Sequence, residues 1–383
     1  MYSCFPRHWV LSVIVVFFFT LFFLSDHRTS TWQDVKSTLT AGGSSKCAST
    51  LASQVEILTT EYKKLLPGVT HVAVIGYPNY PNKGDAAIWA GEQELLRALG
   101  IQMVYTCADE NDYDKTKLRT ELEAHGGPSK TVIMFQGGGN FGDIWPRLQT
   151  NREQVARDFP DYRIRSFPQT YKFYHEKNLK VAQEAYGQHP DLQLTARDTR
   201  SYMAMQADFG KRHTVLLLPD AATMLINRVP PPPASREGIL FLARTDGEGE
   251  QDHVKEQAEV EKLRELVDDH GKEMNVTTAD WVTEDPKEAW TAANLDEQSW
   301  VRVNWAHDFL ASYEMILSDR LHVHILSTVW GLDHVVVEQG SYAKLRTYHD
   351  TWLTGCGDRV AMTQSVQEGV DAVKAWYARG KHF

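Results

Sequence analysis

Residues 134–146 read MFQGGGNFGDIWP, an apolar run that breaks into four glycines within six positions. Gly137, Gly139 and Gly142 fit G-x-G-x-x-G, the pattern with which many folds cradle a dinucleotide pyrophosphate against a helix start. The fit fails on context. Asp143, Ile144, Trp145 and Pro146 follow the last glycine. Proline suits the first turn of a helix, so this helix begins too late to aim its N–H groups at a pyrophosphate. The stretch also follows the third strand of its domain, where a dinucleotide fingerprint follows the first. It reads instead as a strand-to-helix turn, with Asn140 and Asp143 turned toward a cleft to bond hydroxyls.

On either side, short apolar runs alternate with longer amphipathic ones. HVAVIGY, IQMVYTC, TVIMFQG, RIRSF, LQLTARD and TVLLLPD read as strands, with a helical pattern over 85–99. Such alternation implies a parallel sheet covered by helices on both faces. Four prolines at 230–233 cannot continue a helix or a central strand and mark a linker over 230–235. The alternation then restarts. GILFLAR, EMILSDR and HVVVEQ are strands, 254–267 and LHVHILSTVWG are helices, and two helical patterns close the chain. The expected fold is α/β: two doubly wound, Rossmann-like domains facing a cleft. They occupy 66–229 and 236–340, and helices over 341–383 pack back on the first domain. Ligands in such sheets bind off the carboxyl ends of the strands.

The chain has 383 residues, and a formal charge of -10 argues against nucleic acid as a partner. Residues 9–24, WVLSVIVVFFFTLFFL, carry no charge. As a helix they span roughly 24 Å, near the lower limit for a bilayer. No small-x-small cleavage pattern follows, which favours a retained signal anchor over a cleaved signal peptide. Arg7 and the amino terminus bias the tail over 1–8 to the cytosol, and Arg28 on the far side works against that. A short, Phe-rich span suits a thin early-secretory membrane. The polar stretch 25–65 reads as a stem, and the body is expected to be lumenal. Cys4 lies at the cytosolic edge, and Cys47, Cys107 and Cys356 allow at most one disulfide. Asn275-Val276-Thr277 is a glycosylation sequon.

Two further turns resemble the glycine-rich one in position. YPNYPNKGDAAI, residues 77–88, puts Asp85 just before the first helix, and SDRLHVHIL, residues 318–326, opens a helix in the second domain. With Ser318 or Asp319 as N-cap, Arg320 and His322 fall in the first helical turn. Cations are disfavoured there, so the pair makes sense if an anion sits between them. LTARDT, residues 194–199, repeats the arrangement, with Arg197 leaving a strand. Two arginines from two domains can clamp one small dianion or trianion across the cleft. The plainer alternative pairs Arg320 with Asp319 or a distant carboxylate, and Arg197 with Asp198. His322 and His324 lie two apart on a helix and point to nearly opposite sides, so they do not share a metal. No metal site is expected.

Asn82-Lys83-Gly84-Asp85, Gly137-Gly138-Gly139-Asn140 with Phe141-Gly142-Asp143, Ala196-Arg197-Asp198 and Asp319-Arg320-Leu321-His322 occur in that order, each after a strand. In this the chain resembles the polysaccharide pyruvyl transferase family over roughly residues 72–353, with Val323 standing where many relatives have glycine. The membrane anchor, FPQT and AKLRTYHDTWL are similar to fungal members that act in the Golgi on galactose-containing glycans. The resemblance implies a fold like two-domain (GT-B type) glycosyltransferases and phosphoenolpyruvate as donor, with no further cofactor. The pyruvate carbons pass to two hydroxyls of one sugar as a cyclic ketal, and phosphate is released. It assigns the donor to Arg197, Arg320, Leu321 and His322, with Arg197, Arg320 and His322 catalytic and His322 the acid. Asp85, Asn140 and Asp143 face the acceptor, and either carboxylate is a candidate to activate its hydroxyls. The implied location is the Golgi membrane, as a single-pass type II protein. One alternative is a GT-B type glycosyltransferase, which needs a base-stacking pocket and an acidic residue for a ribose. Another is a non-catalytic glycan-binding module, which has no need of Arg197, Arg320 or His322.

Overall fold

The computed structural model describes residues 45–228, 233, 235–244, 253–267, 271–338, 343–381 and 383. The expected cytosolic tail over 1–8, the expected anchor over 9–24, the first part of the expected stem and most of the expected linker over 230–235 lie outside these residues. Among the described residues no helix is long and apolar enough to cross a membrane.

The first half runs α1 (Ser45–Leu65), β1 (His71–Ile75), α2 (Lys83–Leu99), β2 (Gln102–Cys107), α3 (Lys115–Ala124), β3 (Thr131–Phe135) and β4 (Gly138–Gly142). It continues with α4 (Pro146–Asp158), β5 (Ile164–Ser166), β6 (Gln169–Lys172), α5 (Glu176–Gly187), β7 (Leu192–Ala196), α6 (Thr199–Phe209) and β8 (Thr214–Leu217). A 3-10 helix, Ala221–Arg228, ends it. The second half runs β9 (Ile239–Leu242), α7 (His253–Glu261), β10 (Val276–Ala279), α8 (Lys287–Trp290), α9 (Leu295–Ala311), β11 (Met315–Ser318) and α10 (Leu321–Val329). It closes with β12 (His334–Val337), α11 (Lys344–Trp352), β13 (Val360–Thr363) and α12 (Val366–Ala378).

Each half is built on a parallel sheet. The first has eight strands in the order β2-β1-β3-β5-β7-β6-β4, with β8 beside β7, and the second has five in the order β10-β9-β11-β12-β13. TVIMF and HVVV are buried along their whole length, as strands covered by helices on both faces must be. Ile75, Ile133, Phe135 and Leu194 anchor the first core; Phe241, Leu317, Val335 and Trp376 anchor the second.

Three expectations change. The glycine-rich stretch is no turn: residues 138–142 form β4, paired with β6, and Phe141 packs into the first core. In effect β3 and β5 each break for two residues and run on as β4 and β6. Gly142 is required there, because its φ is +139° and a Cβ would lie 1.7 Å from the Lys172 carbonyl oxygen. Second, the stem does not reach residue 65. From Ser45 the chain is helical, and Leu51, Val55, Leu58 and Tyr62 bury one face of α1. A Cys47–Cys356 disulfide joins α1 to the turn after α11, while Cys107 is buried and free. Third, β13 lies within the region read as two closing helices. It pairs with β12, so that α12 belongs to the second half, while α11 and the turn after it reach back to the first.

The halves meet along α2. The Tyr77 hydroxyl donates to Gln298 and the Trp89 indole to Asp296, both on α9. Gly91 lets α2 approach the 3-10 helix, where a Cβ would lie 2.0 Å from the Ala221 carbonyl oxygen.

Candidate active site

The carboxyl ends of both sheets open on one cleft of ≈ 840 Å³. That volume is ample for a small anion together with a sugar. Asn82, Asp85, Gly139, Asn140, Arg197, Arg320, Leu321, His322 and Lys344 all line it. Four separate sequence stretches therefore converge, as their positions after strands imply.

Arg197 follows β7 and is wholly buried. Its Nε donates to the Thr170 hydroxyl at 2.8 Å and its Nη1 to Asp220 Oδ2 at 2.6 Å. Nη2 is buried with no hydrogen-bond partner among the described residues. A Cβ built on Gly139 would lie 3.4 Å from this nitrogen and 3.1 Å from Lys344 Nζ, so two cations converge on the open face of β4. The partner of Arg197 is Asp220, not its neighbour Asp198. Asp198 caps α6, accepting from the Ser201 amide and hydroxyl at 2.7 and 2.8 Å.

Arg320 is itself the N-cap of α10, with extended backbone, one or two positions after the expected Ser318 or Asp319. Its Nη2 meets both carboxylate oxygens of buried Asp280 at 2.6 and 2.7 Å. The distant carboxylate that sequence alone leaves open is thus Asp280. Asp319 instead accepts the Arg244 amide at 3.0 Å.

His322 lies in the first turn of α10 with its ring against the first turn of α2. A Cβ on Gly84 would come within 2.6 Å of its Nδ1. Its Nε2 lies 3.3 Å from Arg197 Nη1 and 3.4 Å from Asp220 Oδ2. Burial alone would raise the Asp220 carboxyl. The His322 contact and the charge of Arg197 outweigh it and hold the group well below the usual carboxylate range.

The three acceptor candidates divide. Asp85 lines the cleft, and no partner for its carboxylate is found among the described residues. Asn140 also lines it, but its amide is spent: Oδ1 accepts from Arg152, and Nδ2 donates to Gln136. Asp143 is not at the cleft. Its carboxylate accepts from the amides of Tyr174 and His175, the His175 ring and Asn178, at 2.7–3.0 Å. Burial works against the ionised form, yet these donors hold the carboxyl below its ordinary value. Asp143 therefore fastens β4 to the loop before α5 and does not touch an acceptor.

Asp220 and Lys344 escape sequence reading, although both stand in stretches that it singles out. TVLLLPD ends in Asp220 at the carboxyl end of a strand, the same signal that marks Arg197. His324 is indeed packed away from the cleft. It bonds His334 at 2.7 Å and His349 at 3.1 Å in a buried chain of three rings. Asn275 is exposed just before β10.

The sequence model of the family described as polysaccharide pyruvyl transferase matches residues 82–339. Pyruvyl transferase 1 of Schizosaccharomyces pombe is 37% identical over 346 residues, which cover 88% of this chain and 84% of that one. Among solved structures, an uncharacterized protein of Klebsiella pneumoniae superposes with a TM-score of 0.51 at 14% identity, covering 80% of this chain and 97% of that one. That likeness speaks to the α/β fold alone.

Proposed function

Because the chain belongs to the polysaccharide pyruvyl transferase family, we propose that it transfers pyruvate from phosphoenolpyruvate to two hydroxyls of a terminal galactose, as a cyclic ketal, with release of phosphate. The observation that carries this reading is Arg197 Nη2, a fully buried guanidinium nitrogen with no partner among the described residues, beside Lys344. A buried, unmatched donor of this kind is costly unless a ligand meets it. A small, dense anion suits it through charge-assisted hydrogen bonds. Arg320 and the α10 N-terminus with Leu321 and His322 supply the rest of the donor site.

The chemistry then follows from charge. Drawing the phosphate and carboxylate onto cations leaves the methylene carbon to be protonated by His322, the acid candidate in reach. Asp85, uncommitted in the cleft, takes the proton of the attacking sugar hydroxyl. Asp143 is spent elsewhere, so the two carboxylates left open by sequence reduce to one. The second hydroxyl closes the ketal as the carbon–phosphate oxygen bond breaks, and its proton leaves with the phosphate.

A lumenal, membrane-anchored Golgi enzyme is the setting that fits. The apolar run over 9–24, the exposed sequon at Asn275 and the Cys47–Cys356 disulfide all support it. Disulfides persist where the compartment is oxidising.

Calorimetry with phosphoenolpyruvate and with UDP-galactose, followed by NMR of a galactoside product, tests the reaction. Phosphoenolpyruvate should bind and a ketal carbon should appear. Binding of UDP-galactose alone would replace this reading with a glycosyltransferase.

A further inference from the structure

Asp220 is wholly buried, yet the reaction set out above leaves it without a task. It sits just beyond β8 and is held from three sides. Its Oδ1 accepts from the Ala222 amide at 2.9 Å, and its own amide donates to the Tyr348 hydroxyl at 3.2 Å. Its Oδ2 accepts from Arg197 Nη1 at 2.6 Å and faces His322 Nε2 at 3.4 Å. One oxygen therefore touches both the guanidinium and the imidazole of the proposed donor site.

That geometry restricts the hydrogens. A bare Nε2 would set its lone pair against an ionised carboxylate oxygen, which is repulsive. An Nε2–H bond toward Oδ2 removes the repulsion. Nη1 and Nε2, 3.3 Å apart, are then two donors converging on one acceptor. Other titratable groups nearby are Glu92 on α2 and Tyr348 on α11, both pushed above their ordinary values by burial, with Asp85, Arg320 and Lys344 along the cleft.

We propose that Asp220 is a positioning residue for the transfer: it takes the Nε2 hydrogen of a doubly protonated His322 and the Nη1 hydrogen of Arg197, leaving His322 Nδ1–H and Arg197 Nη2 as the donors for substrate. The proposal rests on the phosphoenolpyruvate reading above. In the step that follows, the Nδ1–H bond breaks and the enol double bond takes that proton at its methylene carbon. The acceptor oxygen bonds to the neighbouring carbon, and the hydroxyl proton passes to Asp85. The ring is left neutral with Nε2–H still on Asp220.

Asp220→Asn keeps the shape and removes the charge. With this variant, phosphoenolpyruvate binding to acceptor-free enzyme should persist, while kcat falls by about 10²–10⁴-fold, the usual worth of a placed acid. The alkaline limb of its kcat profile should move to lower pH. Loss of donor affinity together with kcat, with that limb unmoved, would reduce Asp220 to a structural role. A second measurement needs no variant: ¹⁵N NMR of histidine-labelled wild-type protein with inorganic phosphate. His322 should show both ring nitrogens protonated, and a bare Nε2 overturns the proposal even if Asp220→Asn does not fold. Failure of wild-type protein to bind phosphoenolpyruvate would instead remove the functional reading, and leaves the NMR result decisive for the pair.

Discussion

Gly84→Ala tests whether His322 has to stand where it does. Gly84 is in the first turn of α2 with no unusual backbone conformation, and a methyl there would meet His322 Nδ1 at 2.6 Å and its Cβ and Cγ at 2.8 Å. Ordinary carbon contacts lie near 3.5–4.0 Å, so the ring has to move by about 1 Å. It is not free to slide, because Arg197 and Asp220 flank its far nitrogen. Overpacking of this kind costs roughly 1–3 kcal/mol, and alanine returns about 1 kcal/mol over glycine within a helix. The net change in stability should be small. Activity should not be: about 1 Å of misplacement of a reacting group is worth on the order of 10²-fold in rate. The assay is kcat at saturating phosphoenolpyruvate and galactoside, beside a thermal melt. Gly357→Ala is the control, since nothing lies within 4 Å of its added methyl. A folded Gly84→Ala enzyme with turnover near that of Gly357→Ala would refute the placement of His322 as acid.

Two other outcomes follow from committed side chains. Asp143→Ala should leave the KM for both substrates unchanged but lower stability by about 1.5–3 kcal/mol in urea unfolding, because it removes hydrogen bonds to a charged group whose donors stay open to water; a raised acceptor KM would return Asp143 to the cleft. The chain of His324, His334 and His349 is held neutral by burial, with His334 pushed down to about 4. Since the folded-state value lies below the unfolded one near 6.5, the unfolded state takes up protons first as pH falls. Stability is therefore full above about pH 6.5 and declines as pH falls, by roughly 1.4 kcal/mol per pH unit toward pH 4 for His334. Urea midpoints across that window should fall less steeply for His334→Gln than for the wild type, and equal slopes would count against the account.

Much of this was open to reading from the residues alone, for reasons that differ by element. β1, β3, β9, β11 and β12 are apolar along their length because helices cover both faces, and such runs announce themselves. Arg197, Arg320 and His322 stand out because a cation at a strand's end or a helix's start needs an anion to justify it. Asp143 misled because its four donors come from residues 31–35 positions away, a distance that no local pattern encodes. Asp220 went unnoticed for the converse reason: its partners Arg197 and His322 are 23 and 102 positions distant. α1 was hidden by composition. Its serines and threonines look like a stem, although Leu51, Val55, Leu58 and Tyr62 already follow helical spacing. Residues 138–142 look like a turn because glycine-rich strands carry few side chains to show a period.

Helix α2 behaves as a screw seated in three threads. Gly84 meets His322, Gly91 meets the 3-10 helix and Trp89 meets α9, while Asp85 turns into the cleft. One residue added in the loop before it, 76–82, and taken up by threading the helix one position along, would rotate the helix by about 100°, since a turn takes 3.6 residues. Alanine or lysine would then stand where a glycine clears the imidazole, and Asp85 would leave the cleft with the sheet untouched. Most surface loops tolerate changes of length. Here the spacing between Ile75 and Lys83 sets how Asp85 stands to His322, so on the proposed roles such an insertion should silence the enzyme while leaving it folded.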